Sequence, residues 1–287
     1  MKKVLCIIAV LSLCLCLWGC DQASSAPILA TTKPVYCFAS ALCADTGLDV
    51  DLLVTENVSC LHDYSVQVSQ MQKIEKAETI VINGAGFESF LDDILPDDKH
   101  ILDASTGISP LCADHHHEGE HSHETDPHIW LSIPNARVMA ENIAVGLSEH
   151  YPDHADQISK NLSALQIQFD KLEQHSQELD SVTHRQLITF HDGFSYLADA
   201  FNLEILRAIE EESGAEASAQ ELITIIESVN AYELPAIFTE VSGATAAAEI
   251  IQRETKVKLS SLDMGLSERD YFDAMHYNIT TLKEALE

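Results

Sequence analysis

The chain has 287 residues, 46% hydrophobic and 22% charged, with 46 acidic side chains against 16 basic ones and a formal charge of −30. That length is enough for two lobes of ordinary domain size. So acidic a surface repels nucleic acid and concentrates cations around it, so a nucleic-acid-binding role is excluded. In chain order, the N-terminal segment comes first and does not read as fold. Met1-Lys2-Lys3 opens positive and Val4 to Trp18 is apolar. At about fifteen residues this run is short of the roughly 20 that a membrane-spanning helix needs. Residues 1–19 therefore read as a signal peptide.

Leu17-Trp18-Gly19-Cys20 resembles a bacterial lipobox. The resemblance implies cleavage before Cys20 and lipidation of its thiol, which tethers the protein to a membrane face without spanning it. The exported chain, without Lys2 and Lys3, is two charges more negative than the whole. Residues 20–33, rich in Ala, Ser and Thr, are expected to form a flexible stalk. Export also puts Cys37, Cys43, Cys60 and Cys112 in an oxidising compartment. Four cysteines there are expected to form disulfides, in any of three pairings.

From residue 34 to 153 the pattern predicts an α/β lobe. Val35 to Ala39 reads as a buried strand followed by a helix over Ser40 to Leu48. Val50 to Val54 is a second strand, and a helix follows over Val66 to Ala77. Thr79 to Asn83 is a third strand, running into Gly84-Ala85-Gly86 and a helix over Phe87 to Leu95, and Ile101 to Asp103 is a fourth. Alternating strand and helix implies right-handed βαβ units and a mostly parallel sheet. A dinucleotide cradle at the glycine turn is disfavoured, because Ser89 stands where the third glycine of G-x-G-x-x-G belongs.

Residues 154–183 read as one connecting helix. Ile158, Leu162, Leu165, Phe169, Leu172 and Leu179 form a single apolar stripe with no Gly or Pro from Ala155 to Ser181. A helix of that span is about 40 Å long at 1.5 Å per residue, more than one lobe requires. A second α/β lobe is predicted over 184–287. Its strands are Gln186 to Phe190, Leu203 to Ala208, Ala236 to Thr239 and Lys256 to Ser260. Helices are expected over Phe194 to Phe201, Ala219 to Asn230, Ala244 to Glu254 and Tyr271 to Leu286. The fold class is α/β: two lobes, each with a mostly parallel sheet flanked by helices, bridged by one long rigid helix.

Asp114 to His128 reads DHHHEGEHSHETDPH and holds six of the 14 histidines. His115, His116, His117, His121 and His123 lie in a segment, 114–125, with neither helical nor strand periodicity. Interleaved imidazoles and carboxylates make a metal-collecting composition, since neutral imidazole suits zinc, copper and nickel. His117-Glu118-Gly119-Glu120-His121 fits H-E-x-x-H, but that protease motif needs both histidines on one helix face, and Gly119 in a run without apolar periodicity argues against such a helix.

Three further histidines sit beside ordered apolar runs: His62 after Val50 to Val54, His128 opening Asp126-Pro127-His128-Ile129-Trp130-Leu131, and His191 after Gln186 to Phe190. Glu240 and Asp263 follow later strands in the same way. Ligands of open α/β sheets gather beyond the carboxyl ends of strands, so a cleft between the lobes would collect these residues. Three imidazoles and one carboxylate complete a tetrahedral shell for zinc.

Several stretches carry a more specific resemblance: NVSCLHDY (Asn57 to Tyr64), NGAGFE (Asn83 to Glu88), DPHIWL (Asp126 to Leu131), TFHDGF (Thr189 to Phe194), IFTE (Ile237 to Glu240) and YNITTL (Tyr277 to Leu282). Through them the chain resembles the zinc- or manganese-specific substrate-binding proteins of bacterial ABC importers, over essentially all of its exported length. The resemblance implies metal ligands at His62, His128 and His191, and a fourth at Asp263 in SLDMG. Glu240 is expected to orient a ligand imidazole or to serve as the alternative fourth ligand, and water is a further candidate. Imidazole at position 191, where manganese members carry a carboxylate, favours Zn2+ over Mn2+. Leu61 stands where some zinc members carry a ligating Glu, and Ser59-Cys60-Leu61 replaces the usual Gly-x-Asp-Pro approach to the first ligand.

The resemblance further implies an extracytoplasmic monomer, held at the membrane by its lipid alone. It would pass zinc to an ABC transporter permease driven by a separate ATPase subunit. No P-loop is present, so the chain itself is not expected to hydrolyse ATP. A manganese-binding member and a zinc-dependent hydrolase are the competing readings. For the hydrolase, three histidines would leave a reactive water. A surface adhesin, the role assigned to some members of this cell-adhesion family, has only surface display in its favour.

Overall fold

The computed structural model describes residues 27–56, 61, 64–111, 125–210, 218–241 and 246–287. The targeting segment, His62 and the His-rich run 115–123 lie outside the described residues, as do Cys60 and Cys112.

In the first lobe Ile28–Ala30 (β1), Val50–Leu52 (β2), Thr79–Ile82 (β3) and His100–Asp103 (β4) pair in parallel in the order β2-β1-β3-β4. In the second, Gln186–His191 (β5), Glu204–Glu210 (β6), Ala236–Glu240 (β7) and Lys258–Leu262 (β8) pair in parallel in the order β6-β5-β7-β8. The two sheets share one permutation. In each, the first strand lies between the second and third, so the chain changes direction across the sheet at β1/β3 and at β5/β7. Such switch points open a crevice at the carboxyl ends of the strands.

The helices are Lys33–Leu42 (α1), Val68–Lys76 (α2), Ile133–His150 (α3), Ala155–Ser176 (α4), Ser195–Ala200 (α5), Ala219–Ala231 (α6), Ala246–Thr255 (α7) and Tyr271–Leu286 (α8). Several expectations need correction. Val35 to Ala39 is not a strand but lies inside α1, whose buried residues Pro34, Val35, Phe38, Ala39 and Leu42 follow helical spacing behind a proline in the first turn. The first strand is instead Ile28–Ala30, inside the segment expected to be a stalk. All three of its residues are buried, and both of its edges are paired. The helix expected over Phe87 to Leu95 shrinks to one 3₁₀ turn, Ser89–Leu91. Helix α3 was not expected at all, although Ser132 caps it and Ile133, Ala136, Met139, Ala140, Ile143, Ala144 and Leu147 form its buried face. The connecting helix, α4, has 22 residues and then tightens into a 3₁₀ turn, Gln177–Ser181.

The disulfide expectation also fails for two of its four cysteines, because Cys37 and Cys43 are free thiols. They lie six residues apart on and just after α1, too far round the helix to meet, and burial raises both thiols, Cys43 to about 12. High thiol pKa values leave them poor nucleophiles.

The first glycine turn explains itself in side-chain terms. Gly84 has φ +80°, and a Cβ there would fall 1.9 Å from the Asp103 carboxylate. Glu88 folds back into the turn and accepts hydrogen bonds from Asn83 N–H (2.7 Å), Gly84 N–H (3.0 Å) and Thr31 Oγ1 (2.6 Å). A dinucleotide phosphate needs such N–H groups for itself. Here a carboxylate already holds them, which removes the dinucleotide reading. Burial pushes Glu88 up to about 7 despite those three donors.

The lobes are fastened through α4. Phe169 of α4 packs on Phe38 of α1, on Tyr271 of α8 and on Phe272, with ring centroids 5.8, 6.1 and 5.0 Å apart; Phe38 and Tyr271 meet edge to face at 4.8 Å. Each such aromatic pair adds about 0.5–1.5 kcal/mol beyond its burial. Arg137 of α3 reinforces the strut, with its guanidinium bonded to Asp170 and Glu173 and lying 5.3 Å from the Phe169 ring centroid.

Two histidine pairs bear on how this fold should respond to acid. His100 and His150 stack with centroids 4.3 Å apart, and His175 of α4 meets His276 of α8 with Nδ1 atoms 2.7 Å apart. Burial, and then the charge of the partner imidazole, lowers His100 and His276. Their folded pKa values lie below the unfolded value of about 6.5, so the stability they confer is full above that pH and is lost as pH falls below it. Glu88, raised in the fold, acts with the opposite sign. The readout is therefore a comparison of variants: a His100→Gln/His276→Gln chain is expected to lose less of its urea midpoint than the parent between about pH 7.5 and 5.5. Equal losses would remove these pairs from the acid response.

Candidate metal centre

His128 stands where the 3₁₀ turn Ile129–Leu131 begins, and it is fully buried. Its ring is walled by Phe87 at 5.6 Å and Trp130 at 5.3 Å. Asp126, two residues before it, accepts from both the backbone N–H (2.9 Å) and the ring Nδ1 (2.8 Å) of His128. Burial alone would raise Asp126, but the hydrogen bonds and charge of His128 outweigh it and hold the carboxyl below its usual range. An ionised carboxylate can only accept, so Nδ1 carries a proton, and in the neutral ring Nε2 keeps its lone pair. Nε2 is buried and has no hydrogen-bond partner among the described residues. Leaving such an atom unsatisfied costs about 1–3 kcal/mol, which a bound electrophile would recover. Asn83 Nδ2 donates to Pro127 O at 3.3 Å and so ties this segment to the β3 end.

His191 closes β5 from the other lobe, at the β5/β7 switch point. Its Nδ1 faces Glu240 Oε1, at the end of β7, across 3.5 Å, and both side chains are buried. Gly193 is required beside it, because a Cβ there would lie 2.9 Å from His191 Nε2 and 2.8 Å from Met264 Cε. The two imidazoles meet across the cleft edge to face, with centroids 5.4 Å apart and planes at 88°. Two imidazoles bound to one tetrahedral zinc at about 2.0–2.1 Å place their ring centres about 5 Å apart. Each ring has a carboxylate at its Nδ1 side, the outer arrangement that fixes tautomer and orientation in metal sites.

Asp263, just past β8, is buried, yet its carboxylate is already committed. Oδ1 accepts from Gly265 N–H at 2.8 Å, and Oδ2 from Ser267 Oγ at 2.7 Å and Arg269 Nη1 at 2.9 Å. Among the described residues no three His, Cys, Asp or Glu side chains form a group able to hold a metal ion. The structure thus pairs His128 with His191 and His191 with Glu240, and holds the Asp263 carboxylate in a different network. His62 and His115, His116, His117, His121 and His123 lie outside the described residues. Leu61, which precedes His62, is buried and lines a small pocket with Thr32, Val54, Glu56 and Leu266, the last of these from the Asp263 loop.

Sequence reasoning missed Asp126, although a carboxylate two residues before a candidate ligand was a readable signal. It also missed the bridging role of Trp130, whose Nε1 donates to Met264 O at 2.6 Å and whose carbonyl accepts from Tyr271 Oη at 3.0 Å. Asn278 clamps Asp263 by its backbone, accepting from the N–H at 2.7 Å and donating to the carbonyl at 2.8 Å.

Two lobes of one permutation, pinned on a single helical strut and each presenting an imidazole to the shared crevice, define a two-lobed α/β fold of the rigid-strut kind. Comparison with known proteins agrees. The family model described as zinc-uptake complex component A, periplasmic (ZnuA) matches residues 28–285. The chain belongs to that family.

A zinc-binding lipoprotein AdcA of Streptococcus pneumoniae is 30% identical over 312 aligned positions, covering 100% of this chain and 62% of the relative. The high-affinity zinc uptake system protein ZnuA of Haemophilus ducreyi is 28% identical, covering 88% of each. The chain spans about three fifths of the length of the AdcA relatives it matches. A crystal structure of ZnuA superposes with TM-score 0.80 at 29% identity, covering 91% of this chain and 98% of the other. A manganese-bound periplasmic metal-binding protein from Candidatus Liberibacter asiaticus reaches 0.79 at 22% identity, covering 91% and 99%, a likeness of fold alone.

Asp126→Ala should leave His128 in place but free to rotate and to change tautomer. Zinc affinity is expected to fall about 10- to 100-fold with the circular dichroism spectrum unchanged, as for other partners of ligand histidines. Unchanged affinity in a competition titration would show that Asp126 does not tune this ring.

Proposed function

We propose that this chain captures Zn2+ in the interlobe cleft and delivers it to a membrane permease. The observation that carries this reading is the His128–His191 pair, one imidazole from each lobe at the spacing that a shared tetrahedral ion requires, each with a carboxylate at its Nδ1 side. His62 is the third ligand in this proposal, supported by Leu61 lining a pocket with Leu266 of the second lobe. Asp263 supplies the fourth bond, with Glu240 orienting His191 or taking that bond itself. The relatives' names speak for zinc uptake. Because manganese- and zinc-binding relatives share the fold, the choice of metal rests on the donors, and imidazole at position 191 suits zinc better than manganese.

The chain acts as a carrier. A closing carboxylate leaves no open coordination position for a reactive water, which distinguishes this site from a hydrolase. The permease, its separate ATPase and the lipid at Cys20 belong to this proposal. The anchor rests on the Leu17 to Cys20 motif and on the lipoprotein name of a relative, and no helix among the described residues is long and apolar enough to cross a membrane. The loop 115–123 is assigned an accessory role, gathering zinc for the cleft.

Titrating the protein with zinc and manganese in competition tests the reading. One tight zinc equivalent should survive deletion of residues 115–123 and be lost in His191→Ala. Equal losses from the two changes would place the principal site in the loop, and a preference for manganese would overturn the metal assignment. Zinc affinity should also fall on acidification, because protons compete for the ligating imidazoles.

A further inference from the structure

The position of Asp263 points to a device that the binding reading alone does not contain. Its backbone is fixed at both polar atoms by Asn278. Its side chain is only 1% exposed, and its Oδ2 is shared by Ser267 and by Arg269. Arg269 is different: its side chain is 40% exposed, and its guanidinium carbon lies 4.3 Å from the centroid of the Tyr277 ring. The cation therefore has a second resting place, on an aromatic face in contact with water, where it can stay without the carboxylate. The carboxylate has no comparable alternative among its present partners.

We propose that Arg269 is a latch on Asp263: guanidinium and metal ion compete for one carboxylate, and Arg269 sets how quickly the cleft gives up its ion. The inference rests on the proposed zinc site with Asp263 as a ligand. Asp263 cannot use Oδ2 for a metal while two donors occupy it, and it stands apart from the paired imidazoles while so held. Its Oδ1, with one donor, has accepting capacity left. Rotation about the side-chain bonds, with the backbone held by Asn278, exchanges one cation for the other. When the carboxylate returns to Arg269, the ion loses one ligand with no movement of the lobes. Arg269 is thus a positioning residue and does not itself contact the ion.

The test measures zinc affinity and zinc release into excess chelator, using the full chain as parent, Arg269→Gln, Asp263→Asn and the double variant. Arg269→Gln is expected to bind zinc about tenfold tighter and release it correspondingly more slowly, because one charge-assisted competitor has gone. In the Asp263→Asn background the same change should do nothing. Arg269→Lys, which keeps the charge but not the fork, should fall between parent and Arg269→Gln. A thermal melt on each variant checks that the fold survives, and a merely structural role would weaken binding instead of tightening it.

Weaker binding by Arg269→Gln would overturn the latch and make Arg269 a support for the ligand. Equal tightening in both backgrounds would also overturn it, leaving only a long-range charge effect. If the parent's tight zinc is insensitive to His191→Ala, the cleft reading itself fails and the latch fails with it, a result that no Arg269 variant can mimic.

Discussion

Everything in the cleft depends on how the two lobes are registered, and that is set by Tyr271. Its ring sits against Phe38 and Phe169, so it joins the first lobe, the strut and the second lobe in one apolar contact. Its hydroxyl then reaches the Trp130 carbonyl, two residues from His128. The Trp130 indole in turn holds Met264, next to Asp263. A ligand pair from two domains is useful only if held to within about 0.5 Å. Here packing and hydrogen bonding converge on the same few residues. The fully buried Tyr271 hydroxyl is pushed far above its ordinary range by burial, so it stays a neutral donor at any accessible pH.

The electrostatics of the site follow from where the carboxylates stand. A chain with a formal charge of −30 attracts cations over its whole surface, so net charge gives no selectivity. In the proposed site selectivity would come from the interior, where Asp126 and Glu240 face the Nδ1 sides of the imidazoles. Acids in that position raise the basicity of the ligand nitrogens without adding hard oxygen donors. A zinc site so built would suit a borderline-soft ion over one that prefers oxygen.

Much of this was legible in the sequence, and the failures have identifiable causes. Period and strand spacing predicted the second lobe nearly element by element, because β5 and β7 are buried apolar runs and the more polar β6 and β8 recur at the same spacing between helices. The first lobe was harder. Ile28–Ala30 is three residues long and follows an Ala/Ser-rich stretch, so composition hid a strand whose identity comes from being paired on both sides. Val35 to Ala39 looked extended because apolar residues dominate it locally; the wider window through Leu42 shows the helical stripe. His128 and His191 could be read from their positions beside apolar runs. The commitment of Asp263 to Arg269 could not, since a contact six residues away through a turn leaves no periodic trace.

The rigidity of the strut also limits how an ion can leave. A continuous helix filled on one face by Leu165, Phe169 and Leu172, and tied to both lobes, resists the wide hinge closure open to proteins joined by extended strands. With lobe separation held, the free energy of capture has to be adjusted locally, by side chains that change partners. The imidazoles are poor candidates: His128 is walled in by Phe87, Trp130 and Asp126, and Gly193 leaves His191 just the room it occupies. Among the described candidate ligands that leaves the carboxylates. Of these, Asp263 combines a clamped backbone with a side chain whose strongest partner is half in water. In the proposed site, the part least like a finished ligand set is therefore the part best suited to let the ion go.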